Sequence, residues 1–216
     1  MIKNISILIS SIDHPVNSVI EEWVDLNRKN FDIEIVLSSK DLSGGDLLFL
    51  VSCGEIVCKE ILAKYDSSLV IHASNLPKGR GFSPHIWDII NGSDSIFISL
   101  LEASEKVDRG NIWKKVERKI PRSFLYDEII SIVNFAHIEL MNFAVANFDT
   151  IIPEPQSSTV LPTYYKRRSP EDSKLDVNKS IKDQFNLLRV CDAKRFPAFF
   201  VVHGRKYKVI LESYEK

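Results

Sequence analysis

Residues 5–37, with the sequence ISILISSIDHPVNSVIEEWVDLNRKNFDIEIVL, change twice from one apolar pattern to another. Residues 5–10 are almost continuously apolar, which is typical of a strand that is buried on both faces. From Val16 to Asn30 the apolar residues recur at the spacing of one helix face, and charged residues occupy the opposite face. Residues 31–37 return to a strand pattern. The order strand, helix, strand is the unit from which parallel α/β sheets are built.

The same alternation continues along the chain and predicts the rest of the fold. Further strands are predicted at residues 47–52, 69–71, 95–101 and 112–120. Helices are predicted at residues 57–65, 83–91, 123–148 and 179–190, and a β-hairpin at residues 198–212. We therefore predict an α/β fold with a Rossmann-like, mostly parallel sheet flanked by helices. Residues 1–150 are expected to form this domain, and residues 151–216 a small C-terminal extension packed on it.

The composition excludes several classes of protein. The 216 residues are 44% apolar and carry a formal net charge of −1, which excludes a disordered chain and argues against a protein that coats nucleic acid. The three cysteines cannot all pair with one another, and their spacing gives no zinc pattern. We therefore expect a reducing, cytoplasmic location and no bound metal. No apolar run is long enough to predict a membrane-spanning helix.

The segment most suggestive of function is residues 72–84, HASNLPKGRGFSP, which leaves a predicted buried strand. Glycines at positions 79 and 81 would let the backbone approach a ligand closely. The loop ends near Ser83 at a predicted helix start, where free N–H groups favour anions. Taken alone, a histidine at a strand end such as His72 is more often structural than catalytic, and a Gly-x-Gly pair is weak evidence of a binding loop.

A second segment, residues 101–110 with the sequence LEASEKVDRG, ends another predicted strand. It forms an acidic loop that closes with Asp108, Arg109 and Gly110. Because Asp and Gly are common turn residues, this segment alone predicts only a turn. Both segments follow strands, and ligands of parallel α/β sheets bind beyond the carboxyl ends of the strands.

Taken together, the two segments resemble the family of formyltetrahydrofolate-dependent formyltransferases. The family pattern is a His-x-Ser-x-Leu-Pro loop, an Arg-Gly pair, a Ser/Ala-Pro helix start and, further on, an Asp-x-Gly turn. The residues that match it are His72, Ser74, Leu76, Pro77, Arg80, Gly81, Ser83, Pro84, Asp108 and Gly110. The likeness is strongest over residues 45–115. Within the family, residues 164–172 and 188–199 look most like those of small bacterial sugar N-formyltransferases.

The resemblance implies an enzyme that transfers a formyl group from 10-formyltetrahydrofolate to the amine of a nucleotide-linked amino sugar. Such a reaction would serve the synthesis of cell-surface polysaccharide, including the O-antigen of lipopolysaccharide. The resemblance also implies the roles of two residues. His72 would stabilise the oxyanion, and Asp108 would orient His72 and take up the proton of the amine. This chemistry needs no metal.

The sequence departs from the family two residues before His72, where the family has Asn and this chain has Val70. Two alternatives follow from this departure. Asn75, three residues after His72, could supply the missing hydrogen bond to the formyl oxygen and so be a third catalytic residue. Alternatively, Asn75 makes only a turn contact and His72 works without it.

The resemblance also implies where the two substrates bind. The pterin of the folate is expected near the ends of the third and fifth strands. The candidate cofactor-binding residues there are Cys53, Gly54, Glu55, Ile56, Leu101, Glu102, Val107 and Asp108. The candidate substrate-binding residues are Ser74, Pro77, Lys78, Gly79, Arg80, Gly81, Lys166, Arg167 and Arg168. The cations among them could bind a diphosphate, although a run of three cations is also typical of a solvated loop.

Other functions stay open at this stage. The acceptor amine could belong to an amino acid on a peptide-synthesis module or to a glycinamide nucleotide. The chain could instead bind folate without catalysis, or hydrolyse the formyl-folate. Its length and near-neutral charge lead us to expect no tRNA substrate and no other nucleic-acid or membrane partner. The apolar hairpin at residues 198–212 could pair with a second copy of the chain in a homodimer.

Overall fold

The computed structural model describes residues 2–214 and has a six-stranded sheet at its centre. The strands of the described part are β1 (Asn4–Leu8), β2 (Asp32–Val36), β3 (Gly45–Val51), β4 (Tyr65–His72), β5 (Arg80–Gly81), β6 (Ser95–Glu102), β7 (Ile112–Lys119), β8 (Tyr164–Tyr165), β9 (Ala198–Val202) and β10 (Arg205–Val209). Its α-helices are α1 (Asn17–Asn27), α2 (Lys59–Leu62), α3 (Pro84–Ile90), α4 (Tyr126–Asn147) and α5 (Phe185–Arg189). The central sheet has the strand order β2–β1–β3–β4–β6–β7. The predicted α/β fold with a mostly parallel sheet is confirmed.

Four strands of the central sheet, β1 to β4, run parallel, whereas β6 and β7 run antiparallel to their neighbours. The alternation of strands and helices did not predict this reversal. The loop after β4 folds back onto the end of that strand, where Nε2 of His72 lies 2.9 Å from the carbonyl oxygen of Gly79. The chain does not return to the amino end of β4 before β6 begins. The chain therefore enters β6 at the carboxyl edge of β4, where Ser99 pairs with His72.

The larger hydrophobic core lies between one face of the sheet and helices α1, α3 and α4. The apolar stripe predicted for this helix runs from Leu125 to Phe148, and its five inner members are buried there, namely Ile129, Val133, Ala136, Leu140 and Ala144. Its two end members, Leu125 and Phe148, are only partly buried. The helix begins at Tyr126 rather than at the predicted Ser123, and the Glu128 carboxylate accepts a hydrogen bond from Leu125 N at 2.8 Å at this end. By length and composition alone α4 could cross a membrane, but its packing on the sheet makes it a core helix.

The opposite face of the sheet carries a smaller core, which is covered by the four-residue α2 and by loops. Its partly buried members include Cys53, Val70 and Ala103. Cys53 follows β3, Val70 lies on β4 between the two loops, and Ala103 follows β6. The smaller core thus brings together the loops after β3 and β6, where the folate is expected.

Residues that follow α4 pack on the same sheet and helices. Strand β8 pairs with β5, and Val190 belongs to the larger core. Arg189 is 1% exposed, and its Nη1 donates a hydrogen bond to the carbonyl oxygen of Pro121 at 2.9 Å. The predicted helix at residues 179–190 is instead a 3₁₀ turn followed by α5, and the side chain of Gln184 bonds back to the backbone of Asp176 at the break. The division of the chain near residue 150 stays a prediction.

The predicted C-terminal hairpin is confirmed as β9 and β10. Its outer strand carries the exposed cations Arg205, Lys206 and Lys208. Charged side chains on an edge strand discourage the addition of another strand. The homodimer through this hairpin stays a prediction.

Candidate active site

The structure brings His72 and Asp108 together, although they belong to different segments. His72 is the last residue of β4, Asp108 lies in the loop after β6, and each is 8% exposed. The Nδ1 atom of His72 is 3.5 Å from Oδ1 of Asp108. The other ring nitrogen, Nε2, lies 2.9 Å from the carbonyl oxygen of Gly79, to which it donates when it carries hydrogen. The two side chains form a buried pair of a histidine and a carboxylate.

The loop that carries His72 also orients the carboxylate of Asp108. Its Oδ2 accepts a hydrogen bond from Gly81 N at 2.8 Å, which leaves Oδ1 facing His72. The backbone of Asp108 has a φ of 57°, a left-handed conformation that Asp adopts more readily than most residues. The position of Asp108 therefore depends on both loops.

Two glycines permit close backbone approaches around this pair. A Cβ at Gly110 would overlap the carbonyl oxygen of Glu102, and a Cβ at Gly81 would overlap that of Tyr165. Gly81 also has a φ of 99°, which disfavours any L side chain. Both glycines of the family pattern thus have a steric reason in this fold, because Gly110 lets the loop of Asp108 pass beside Glu102 and Gly81 lets β5 pair with β8.

One residue of the site, Gln156, was not predicted from the sequence. Its Nε2 donates to the carbonyl oxygens of Asp108 at 2.8 Å and Gly110 at 3.0 Å. Its Oε1 accepts a hydrogen bond from Nη2 of Arg80 at 2.6 Å. Arg80 is 8% exposed and also donates through Nη1 to Tyr164 Oη at 3.1 Å, so its guanidinium is engaged within the protein. Gln156 lies in an irregular segment with no local pattern that would have indicated this role.

Asn75 lies beside Lys115, and within residues 2–214 no hydrogen bond joins it to His72. Its Oδ1 accepts a hydrogen bond from Lys115 Nζ at 3.0 Å. Val70, at the position of the family's Asn, is partly buried against the smaller core. Asn75 lines a cleft of about 650 Å³ that is bounded by residues 75–78, by the first half of β7 and by residues 151–160. Its part in catalysis stays a prediction.

A comparison with known proteins decides the family. The formyl transferase family profile matches residues 9–134, which is more than half of the chain. The chain belongs to the formyl transferase family. This family member is 27% identical over 213 residues to the bifunctional polymyxin resistance protein ArnA of Wigglesworthia glossinidia brevipalpis. The alignment covers 94% of this chain and 30% of that protein. The chain is 29% identical to the methionyl-tRNA formyltransferase of Rickettsia bellii, over 78% of this chain and 55% of that protein.

Solved structures share the fold of this family member over nearly its whole length. A sugar N-formyltransferase from Shewanella sp FDAARGOS_354 has a TM-score of 0.75 at 18% identity, with 98% of each chain covered. HypX from Aquifex aeolicus in complex with tetrahydrofolic acid has a TM-score of 0.79 at 21% identity, with 94% of this chain and 36% of that chain covered. At these identities the structures establish the fold. The chain spans 30% and 55% of the two curated relatives named above.

In this family member the two predicted folate loops lie next to each other. Lys59 Nζ, at the start of α2, is 3.9 Å from Glu105 Oε1, which follows β6. Ile56 and Val107 are 77% and 54% exposed. Each loop therefore presents an apolar side chain to solvent.

The remaining folate candidates after β3 are held by neighbouring loops. The hydroxyl of Ser10 donates to Cys53 Sγ at 3.3 Å and accepts from Gly54 N at 2.9 Å. Hydrogen bonds from Ser39 lower the pKa of Glu55, whose Oε2 accepts from Ser39 N at 3.0 Å. The loop is thus tied to the chain segments that follow β1 and β2.

The folate candidates of β6 differ in exposure. Leu101 is fully buried and pairs with Val70 on β4. Glu102 is half-buried, and its Oε2 accepts a hydrogen bond from Asn111 Nδ2 at 2.9 Å. Leu101 therefore offers no surface to a ligand, whereas Glu102 can contribute its carboxylate.

Two of the three predicted phosphate ligands at residues 166–168 bind the turn formed by residues 170–173. Lys166 Nζ lies 2.6 Å from Oδ1 of Asp172, and this contact contributes most to holding the pKa of Asp172 at about 2. Arg168 Nη2 donates to Ser173 Oγ at 2.9 Å. Both cations thus already have partners in this turn.

The side chain of Arg167 has different partners from those of Lys166 and Arg168, and it lies beside Gly54 in the predicted folate loop after β3. Its guanidinium carbon is 5.2 Å from the centre of the Phe82 ring. Its Nη2 lies 3.9 Å from the position that a Cβ on Gly54 would occupy. The structure therefore does not bring the three cations together into one cluster.

Two further substrate candidates, Pro77 and Lys78, line the cleft beside Asn75. Ser74 is buried, and its carbonyl oxygen accepts a hydrogen bond from Ser99 Oγ at 2.7 Å. The Oγ of Ser74 has no partner among the described residues. Ser74 is thus placed under the His72 loop, where it joins that loop to β6.

Proposed function

We propose that this chain transfers a formyl group from 10-formyltetrahydrofolate to the amine of a nucleotide-linked amino sugar, in the synthesis of a cell-surface polysaccharide such as an O-antigen. The observation that carries the proposal is the buried pairing of His72 with Asp108. Family membership supports formyl transfer, and the likeness to a sugar N-formyltransferase supports a sugar acceptor. Acyl transfer to an amine needs a hydrogen-bond donor for the formyl oxygen and an acceptor for the proton of the amine.

The loops after β3 and β6 fit a folate. Ile56 and Val107 expose apolar surface there, and binding sites for flat organic rings are lined predominantly by such side chains. Arg167, next to Gly54 and over Phe82, adds a cation with which a carboxylate of the folate tail could pair. Bound 10-formyltetrahydrofolate would supply the formyl group at this end of the sheet.

His72 would donate a hydrogen bond to the formyl oxygen as negative charge develops on it. Because Nε2 faces the carbonyl oxygen of Gly79, the nitrogen on the side of Asp108 is Nδ1. The 3.5 Å between Nδ1 and Oδ1 is longer than a normal hydrogen bond, so a substrate oxygen can approach Nδ1 without breaking one. The carboxylate beside the ring stabilises the positive charge that the ring carries when both nitrogens bear hydrogen.

Asp108 would take up the proton that the amine loses. Its Oδ1 faces His72, while Oδ2 is held by Gly81 N. The hydrogen bonds from Gln156 to the carbonyl oxygens of Asp108 and Gly110 hold the backbone on both sides of Arg109. Because these contacts exist before either substrate binds, the donor and the acceptor need little rearrangement during the reaction.

The experiment that tests this function follows tetrahydrofolate release by the purified protein in the presence of 10-formyltetrahydrofolate. Each reaction contains one member of a panel of nucleotide-linked amino sugars, or no acceptor. Release that depends on one of the sugars is the expected result. Release without an acceptor would indicate a hydrolase and would contradict the proposal.

Further arms of the same assay test other acceptors. Free amino acids and a glycinamide nucleotide represent the alternative amines of small molecules. Methionine-charged initiator tRNA is included because a relative carries the name methionyl-tRNA formyltransferase. Transfer to any of these acceptors, with none to a nucleotide-linked sugar, would keep the formyl donor and overturn the sugar acceptor.

A further inference from the structure

The cleft beside Asn75 has a surplus of hydrogen-bond donors. Among its described lining residues are three lysines, Lys78, Lys114 and Lys115, and a single carboxylate, Glu154. Complementary binding partners place negative charge against such a positive surface. The group that complements this cleft therefore accepts hydrogen bonds and carries negative charge.

Lys115 is held at the edge of the cleft by two contacts with the loop that carries His72. Its Nζ donates to Oδ1 of Asn75 at 3.0 Å and to the carbonyl oxygen of Leu76. An ammonium group has three hydrogens, so one is left for a ligand. Partial burial of this ammonium lowers the pKa of Lys115, and an anion bound beside it would stabilise its charged form.

A buried donor without a partner lines the same cleft. Trp113, two residues before Lys115 on β7, is 7% exposed. Its Nε1 has no hydrogen-bond partner among the described residues. The indole packs in the larger core and this nitrogen is not accessible from the cleft, so a bound anion is expected to contact the lysines and not Trp113.

We infer that this cleft is the acceptor subsite and that it selects acceptors which carry an oxyanion. Lys115 is the specificity-determining contact, and Asn75 is the residue that positions Lys115. The inference rests on the proposed function, because it describes one part of the same acceptor. The oxyanion has two possible sources with shared chemistry, the phosphates of a nucleotide link and the carboxylate of a sugar acid.

Direct binding of simple anions to the full chain tests the subsite without a formyl donor. Titration calorimetry with inorganic pyrophosphate probes the phosphate source, and titration with glucuronate probes the carboxylate source. Lys115→Met should weaken binding of the better probe about tenfold or more, because it removes a charge that contacts the anion. Lys119→Met removes an exposed lysine from the same strand outside the cleft, and it should change the affinity less than about twofold.

The probe that binds identifies the source of the oxyanion. Saturable binding of pyrophosphate that depends on Lys115 indicates a nucleotide link, and the same behaviour with glucuronate indicates a sugar acid. If the wild type binds neither probe saturably, the inference is wrong. It is also wrong if Lys115→Met and Lys119→Met weaken binding equally, because the anion would then sense only the overall charge.

A double-mutant cycle tests whether Asn75 acts through Lys115. Asn75→Ala should weaken binding of the better probe about threefold in the wild-type background and should have no further effect in the Lys115→Met background. Additive losses in the double variant would contradict the positioning role. This readout differs from that of a purely structural residue, which would weaken binding in both backgrounds.

Tetrahydrofolate binding, followed by quenching of tryptophan fluorescence, separates this inference from the proposed function. All of these variants should bind tetrahydrofolate as the wild type does, since the cleft and the folate loops share no lining residue among the candidates. A wild type that binds an anion at Lys115 but no tetrahydrofolate would support the subsite and contradict formyl transfer. A wild type that binds tetrahydrofolate but neither anion would contradict the subsite alone.

Discussion

The loop that carries His72 and the cation run at residues 166–168 both looked functional in the sequence, but they behave differently in the structure. His72 meets Asp108, a residue from a different loop, with 3.5 Å between Nδ1 and Oδ1. By contrast, Lys166 and Arg168 bind the turn at residues 170–173, which follows them directly in the sequence.

The difference between the two regions comes from the backbone. Around His72, Gly81 and Gly110 permit contacts that a Cβ would prevent, and Gly81 N donates a hydrogen bond to Asp108. A run of cations imposes no such constraint, because each long side chain can turn to its own nearest partner. A motif that constrains the main chain therefore predicts geometry, whereas a run of charged side chains predicts mainly composition.

The largest expected effect is the loss of catalysis when the His72–Asp108 pair is broken. His72→Ala should lower kcat about 10²–10³-fold, since removing one donor to a developing oxyanion has an effect of this size. Asp108→Asn should also lower kcat, because its amide cannot take up a proton. Steady-state formyl transfer measures both effects, and thermal unfolding checks that the variants are folded. A folded His72→Ala protein with normal kinetics would contradict the assignment.

A smaller effect, on stability, is expected when a methyl group is added at Gly110, where the backbone passes close to Glu102. Gly110→Ala should lower the free energy of unfolding by about 1–3 kcal/mol, because its Cβ would overlap the carbonyl oxygen of Glu102 and the loop would have to move. Urea denaturation measures this change. Gly54→Ala is the matched control for stability, since the nearest atom to its Cβ would be the flexible Arg167 at 3.9 Å. Equal stability of the two variants would remove the steric argument.

Acid should destabilise the region next to the His72 loop before it affects the turn at residues 170–173. Burial lowers the pKa of His85, on α3, to about 3 and that of His14 to about 4, so both stay neutral in the folded protein. The unfolded chain binds these protons near pH 6.5, and stability is therefore complete above that pH and is lost as the pH falls below it. The loss is at most about 1.4 kcal/mol per pH unit for each histidine.

Urea denaturation at several values from about pH 7.5 to about pH 5 measures this dependence. His85→Gln should reduce the slope of stability against pH, and an unchanged slope would contradict the burial argument. The pKa of Asp172 lies at about 2, so its contribution is present above its ordinary pKa of 3.8 and is lost only as the pH falls toward 2. The contact between Lys166 and Asp172 should therefore persist over the whole range of the experiment.

The smallest effects are expected in the cation run. Lys166→Met should lower the free energy of unfolding by less than about 1 kcal/mol, because the lysine side chain is 69% exposed. Changing residues 166–168 together to Met should weaken pyrophosphate binding by about the product of the three single changes, as is expected of cations that act independently. A single change that weakens binding nearly as much as the triple change would show that the run assembles into one phosphate site when the ligand binds, and it would remove the contrast with the His72 loop.

Local patterns were sufficient for the α/β class, for the apolar stripe of α4 and for the terminal hairpin. Helix and strand periodicities act over a few residues, and they persist because each apolar face needs a core to cover it. The resemblance that singled out His72 and Asp108 depended on glycines and prolines, whose backbone demands are also local. The structure then placed the two side chains together, as the family pattern implies.

Contacts between residues that are distant in sequence account for the features that local patterns did not predict. Strand β6 enters the sheet beside the carboxyl end of β4, and strand and helix patterns do not express this direction. Gln156 reaches Asp108 from a segment without regular structure, and Lys115 reaches Asn75 from the middle of β7. Side chains that are distant in sequence meet only after the sheet and its loops have formed, so their partners follow from the packed arrangement and not from any pattern of neighbouring residues.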